Sequence, residues 1–549
     1  MSATHSGALA LCAAAFALSS PALATPQTAA ATSAAAQTDS WNAQKAALLM
    51  ARAGFSATPD EVREAVAAGR DATVDRMLAN RNSTSKPEIM AERSLHGGLV
   101  SPGALHQRVD SRRKDFIQLQ SDYFAPLNKF GVWWIERMLA NDAPTRDRMT
   151  LFWHGHVVSS FKEVGDAYAM IDQIQFLREH ALGPFDPLIR GIARDPAMLQ
   201  YLSNAKNVKA HPNENWAREL MELFTLGDGN YTEDDIKQAA RAFTGWSKDA
   251  QQFAYHRTDH DFGQKTVLGV TGNLDGDDVI DIVLAQPVCA RFLAGKIIAH
   301  FEGEAPDEKR LNEYADALRS DNYRIDHMLQ KLFRDPRFYR DEIAGARVEA
   351  PIEYLVGVSR RLGLRPPAEM LMAAGTVIGQ RVFFPPSVKG WEGGMAWINT
   401  GTIMQRSNMI GVLLGLEDVN ELMGYADLKP GTKIKADENQ QHTSGMEMLS
   451  YIQSCDWKPE LSLCDRVAKA LPKHSSGPTD AEIVHLFLGD LVLSAPAAGT
   501  AESLEHWLRD RRTELGIAEG ALGQRDPKNE QLLRKLAHLV LSLPEAQVD

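Results

Sequence analysis

The sequence predicts a mainly α protein: a large multi-helix globular domain with long irregular loops and one small β-hairpin. Three observations point there. Apolar residues recur at helical spacing over most of the chain. Start signals such as Thr58-Pro59 with Glu61, and later Asp195-Pro196, open successive segments. Aromatic and β-branched residues approach alternation in one place only, after Trp246.

At 549 residues and 44% apolar content, the chain is long enough to bury a substantial core. Met1 to Ala24 is an apolar run without Lys, Arg, Asp or Glu, ending in Ala22-Leu23-Ala24, so residues 1–24 are expected to be a cleaved signal peptide. The mature chain is then periplasmic or secreted, with no transmembrane segment. Residues 25–39 are Ala, Thr, Gln, Pro and Ser with few large apolar groups, a disordered linker. Residues 40–425 form the helical core portion, and 426–549 a C-terminal helical portion packed on it. A formal net charge of −12 argues against a nucleic-acid partner. Cys455 and Cys464 are close enough in sequence for a disulfide in an oxidising compartment, whereas Cys289 sits in an apolar run as a buried small hydrophobe.

The densest set of ionisable residues runs from Asn213 to Trp246, two helices with a tight turn. Projecting the first at about 100° per residue puts Glu214, Asn215, Arg218, Glu219, Glu222 and Thr225 on one arc. Trp216, Ala217, Leu220, Met221, Leu223 and Phe224 fill the other. A solvent-facing ladder of i,i+4 ion pairs explains the polar arc without any chemistry; a general acid/base group with a neighbouring arginine is the functional alternative. Thr232 with Asp235 resembles a capping box for the second helix.

Three other stretches carry candidate chemistry. In MTLFWHGHVVSSF, His154 and His156 bracket Gly155; on a regular helix i and i+2 diverge, so a shared metal requires the helix to end near Trp153. Histidines hydrogen-bonded at a helix terminus are the plain alternative. The loop after Trp246 concentrates His256, Asp259, His260, Asp261 and Lys265. From Phe383 to Asn408, prolines and glycines demand a large loop bearing Lys389, Trp391, Trp397 and Arg406, with the tryptophans either stacking on a ligand or anchoring the loop. No Walker, dinucleotide-binding, nucleophile-elbow or H-E-x-x-H pattern occurs.

These segments together resemble the bacterial DUF1800 family. The matching motifs are ARAGFSATPDEV at 51–62, RMTLFWHGHVVSS at 148–160, PNENWARELMELFTLGDGNYTEDDIKQAARAFTGW at 212–246, HDFGQKTVLG at 260–269, PPSVKGWEGGMAW at 385–397 and LSLPEAQ at 541–547. Two positions depart from the family pattern, Gly155 and Glu392. The resemblance implies an exported protein, often encoded beside a secreted sulfatase-like protein that would be a partner. It also directs attention to His154, His156, Asn213, Glu214, Asn215, Arg218, Glu219, Glu222, Arg241, His260, Asp261, Lys265, Lys389 and Trp391.

The functional expectation is an exported hydrolase or lyase acting on an extracellular or envelope polymer, in the first instance carbohydrate. Glu214, Glu219, Arg218, His260 and Asp261 are the catalytic candidates. Asn213, Asn215, Arg241, Lys265, Lys389 and Trp391 are the substrate-binding candidates, and His154 and His156 the candidate ligands of a divalent transition metal. The alternatives are a haem or non-haem metal oxidoreductase and a non-catalytic envelope assembly or binding protein.

Overall fold

Capping chemistry decides where most helices begin. The computed structural model of the chain describes residues 40–79, 113–249, 251–416, 457–471 and 477–549, the side chains of 113–124 excepted. The expected signal segment, the linker, the 425/426 junction and Cys455 with its pairing to Cys464 lie outside the described residues. Asn42 caps α1 (Ala43–Arg52), and Thr58 with Glu61 forms the expected capping box of α2 (Pro59–Ala68), which leads through Gly69 into α3 (Arg70–Leu78). The long α4 (Arg113–Ala140) is followed by α5 (Pro144–His156), the short α6 (Phe161–Val164), α7 (Ala167–His180), α8 (Phe185–Arg194) and α9 (Pro196–Tyr201). Asp195 caps α9 as its Asp-Pro start predicts, and α7 packs against both α4 and α5.

The central motif differs from a pair of regular helices. Only Asn215–Glu219 (α10) is α-helical; Leu220–Thr225 is a π-helical turn, in which the Leu226 amide reaches back to the Met221 carbonyl at 2.8 Å. Thr225 consequently rotates off the polar arc into full burial and donates to the Leu220 carbonyl. After Gly227, the Thr232/Asp235 capping box opens α11 (Glu233–Ala242).

Two small antiparallel hairpins follow where one was expected: β1 (Trp246–Asp249) pairs with β2 (Gln252–Tyr255), and β3 (Lys265–Val267) with β4 (Val270–Gly272). The next segment is two helices, α12 (Gly276–Ala285) and α13 (Pro287–Glu302), bent by 75°. A single helix cannot pass Pro287, which lacks an amide proton and forces Gln286 into an extended conformation. The remainder is α14 (Glu308–Ser320), α15 (Ile325–Arg334), α16 (Pro351–Leu362), α17 (Ala368–Val377), α18 (Thr400–Leu413), α19 (Leu463–Ala470), α20 (Asp480–Leu491), α21 (Thr500–Glu514) and α22 (Pro527–Leu541). The chain is thus mainly α, with irregular backbone concentrated between α9 and α10 and between α17 and α18.

One continuous apolar core runs from Ala46 to Ala546, so the last helices share it with the first. Among the described residues no single helix is long and apolar enough to cross a membrane.

Candidate active site

The site begins at the C-terminal end of α5. That helix continues through His156, so His154 and His156 diverge around it and the condition for a shared metal is not met. His154 Nε2 accepts the Phe383 amide proton at 3.2 Å, and Trp391 packs edge-on against its ring at 5.4 Å between centroids. His156 Nε2 instead donates to the Phe224 carbonyl at 3.0 Å, and its ring stacks on Phe152. Burial pushes both imidazoles down to about 4, so each is neutral near pH 7. Among the described residues no three His, Cys, Asp or Glu side chains converge as a metal-binding group.

Gly155, between them, is where the 383–391 loop closes onto α5. Gly390 adopts φ +76, and a Cβ there would overlap the Gly155 carbonyl oxygen. The Phe161 amide bonds the Phe383 carbonyl at 2.9 Å, pinning the loop at a second point. The H-G-H element therefore holds two pieces of irregular backbone at once: the loop through His154 and Gly155, and the π-turn through His156.

Between that loop and α10 lies a cleft of about 500 Å³. One wall is Phe384 to Val388 of the loop; the other is Asn215 and Glu219 of α10, and Ser160, Lys162, Glu163, Tyr201 and Leu202 close it from α6 and the end of α9. The Glu219 carboxyl is raised above its ordinary range by burial and by Glu222, against the opposing pull of Arg218 and Lys389. The Tyr201 hydroxyl is pushed up to about 12 by burial and by the charges of Glu163 and Glu219. A half-buried carboxyl raised above its ordinary range, in the same cleft as a phenol that keeps its proton, can serve as an acid/base pair.

The other sequence-predicted residues distribute as follows. Asn213 accepts from the Asn215 amide at 2.9 Å and so shapes the entry to α10, while its own amide bonds buried Asn207. Arg218 bonds Glu214 at 3.2 Å and grips Glu233 with two bonds of 2.8 and 2.7 Å. That is the solvent-side ion-pair ladder, now extended to α11, and Glu214 does not line the cleft. Glu222 accepts the Tyr231 hydroxyl at 2.9 Å. Lys389 is exposed near Glu219, and Trp391, half-buried on His154, anchors the loop.

Arg241, His260, Asp261 and Lys265 form a separate knot. Arg241 Nε bonds Asp261 at 2.7 Å, and His260 Nδ1 donates to the Thr244 carbonyl at 2.8 Å. The buried Lys265 ammonium is held by the carbonyls of Asp261, Gly263 and Leu274 at 2.5, 3.0 and 2.9 Å. This set fastens the second hairpin and the segment leading into it to the end of α11, and none of its side chains lines the cleft. Sequence reasoning missed Lys162, Glu163 and Tyr201. The only available signal was that Ser160, Lys162 and Glu163 directly follow the H-G-H segment; nothing local marks Tyr201.

Fold and site together define a mainly α protein with an acid-lined cleft between a glycine- and proline-rich loop and the short helix α10. The chain belongs to the family described as protein of unknown function (DUF1800), whose model matches residues 48–548. No curated protein and no solved structure matches it.

Proposed function

We propose that the chain is a hydrolase or lyase whose acid/base group is Glu219, acting in the cleft on an extracellular or envelope carbohydrate polymer. The carrying observation is the raised Glu219 carboxyl lining the same cleft as Tyr201, whose hydroxyl answers to both Glu163 and Glu219. A base must be deprotonated and an acid protonated in the same working range; a carboxyl above its usual value and a phenol far above neutrality meet that requirement. The export expected from the apolar Met1 to Ala24 run supports an extracellular or envelope substrate.

Release of reducing ends from a panel of envelope polysaccharides tests the reading. Glu219→Gln removes the titrating group with little change of shape and lowers kcat by about 10²–10⁴-fold. Glu214→Gln, which alters only the exposed ladder, leaves kcat unchanged. Equal activity of Glu219→Gln and the unsubstituted protein overturns the assignment. Polymer binding without cleavage would favour the non-catalytic alternative, for which the exposed rings of Tyr255 and Phe262 on the hairpin side supply a surface.

A further inference from the structure

We propose that the polymer entering this cleft is a polyuronate and that it is cut by β-elimination, an inference that rests on Glu219 being the proton-transfer group. The observation behind it is Lys162, which lines the cleft, together with Lys389, which directly follows the lining residue Val388. Lys162 lines it from α6, next to Glu163, and is exposed. Lys389 lies at the end of the opposite loop wall, next to Val388, is exposed, and acts electrostatically on Glu219. Among the described residues neither ammonium stands in an ion pair. Contrast Lys265, fully committed to three carbonyls, and Lys331, paired with Glu313 at 3.1 Å.

A neutral glycan gains little from two uncommitted cations beside a pair of carboxylates. A sugar carrying its own carboxylate at C5 needs them, for two reasons. They offset its repulsion from Glu163 and Glu219, and a neutralised carboxylate stabilises negative charge developing at the adjacent carbon as the C5 proton leaves. The cleft then holds all the groups that an elimination uses. Glu219, as carboxylate, takes the C5 proton. The C5–H electron pair becomes the C4=C5 double bond, the C4–O bond breaks, and the departing oxygen takes the Tyr201 proton. Proton return from Glu219 to Tyr201 through solvent resets the site, and no oxidant, metal or water is consumed.

The full-length protein is incubated with polygalacturonate, polymannuronate and an unsubstituted neutral β-glucan, following both reducing ends and the ultraviolet absorbance of a double bond conjugated to the carboxylate. Expected is a parallel rise of both signals on one or both uronates and on neither count with the glucan. Lys389→Ala, at an exposed position that does not endanger folding, lowers kcat/KM on the uronate by about 10²-fold, and Lys389→Arg restores most of it. Reducing ends without absorbance, or equal cleavage of the glucan, overturns the polyuronate elimination while leaving Glu219 as the acid/base group. If no polymer is cleaved, and Glu219→Gln is indistinguishable from the unsubstituted protein, both readings fall.

Discussion

Glu219 and Tyr201 derive their chemistry from neighbours that are distant in sequence, and the consequences are measurable one residue at a time. Because Glu219 is raised from the ordinary carboxyl value of 4.5, activity that needs its carboxylate increases with pH through an apparent pKa above that value. It declines again only as Tyr201 ionises near 12. The pH profile of kcat/KM should show both limbs. Tyr201→Phe removes the alkaline limb and costs about 10²-fold in kcat if the phenol is the proton donor. Glu163→Gln moves the alkaline limb to lower pH, since a negative charge that disfavours the phenolate has been deleted. A profile unmoved by either substitution would detach Tyr201 from the chemistry. Glu219 itself was legible in the sequence as one acid on a polar arc, but not as the acid to choose. Glu214 and Glu222 share that arc, each four residues from Arg218, and only the packed molecule assigns Glu219 to the cleft and Glu214 to the ladder with Glu233.

At the scale of the element, the H-G-H end of α5 is a two-sided clamp, and its tightest point is the contact of Gly155 with Gly390. Gly390→Ala pays twice, through φ +76 and through overlap with the Gly155 carbonyl; Gly393→Ala, at φ +73 with open space around it, meets only the backbone term. Gly393→Ala, which would put a side chain at φ +73, ψ −176, should therefore lose about 1–3 kcal/mol in urea unfolding. Gly390→Ala should lose more, and lose activity as the loop wall lifts from the cleft. Equal losses would show that the close approach contributes nothing. The caps of α2, α9 and α11 could be read from sequence because each is a local exchange of hydrogen bonds within three or four residues. The π-turn could not. Its freed carbonyls are taken by Thr225 from within and by His156 from 68 residues away, and a 100° projection has no term for either.

Across the whole molecule, the core contains a charged layer where α1, α5, α13 and α16 meet the last residues of the chain. Arg148 and Arg347 each reach Glu353 at 2.7 Å, and Arg347 also bonds the Asp549 carboxylate at 2.5 Å, all of them buried. His300 lies against Arg148, Arg347 and Glu353, its ring centroid 5.0 Å from that of Phe152. Burial first, and then the neighbouring Arg148, push its imidazole down to about 3, so it stays neutral in the fold. The unfolded chain protonates that histidine below about 6.5 whereas the native state does not, so falling pH draws the protein toward unfolding at up to about 1.4 kcal/mol per pH unit from this residue. Buried carboxylates with raised values, such as Asp195 at about 7, act with the opposite sign over part of the same range, and the total slope cannot isolate one group. A difference measurement can. His300→Phe keeps an aromatic ring against Phe152 and Phe301 but has no proton to bind. Its stability relative to the unsubstituted protein, followed by urea unfolding from pH 7 to pH 4, should therefore improve steadily by about 1.4 kcal/mol per unit once below about 6.5. A difference that does not vary with pH would mean that His300 is protonated within the folded core, and that the charged layer is more open to water than its packing indicates.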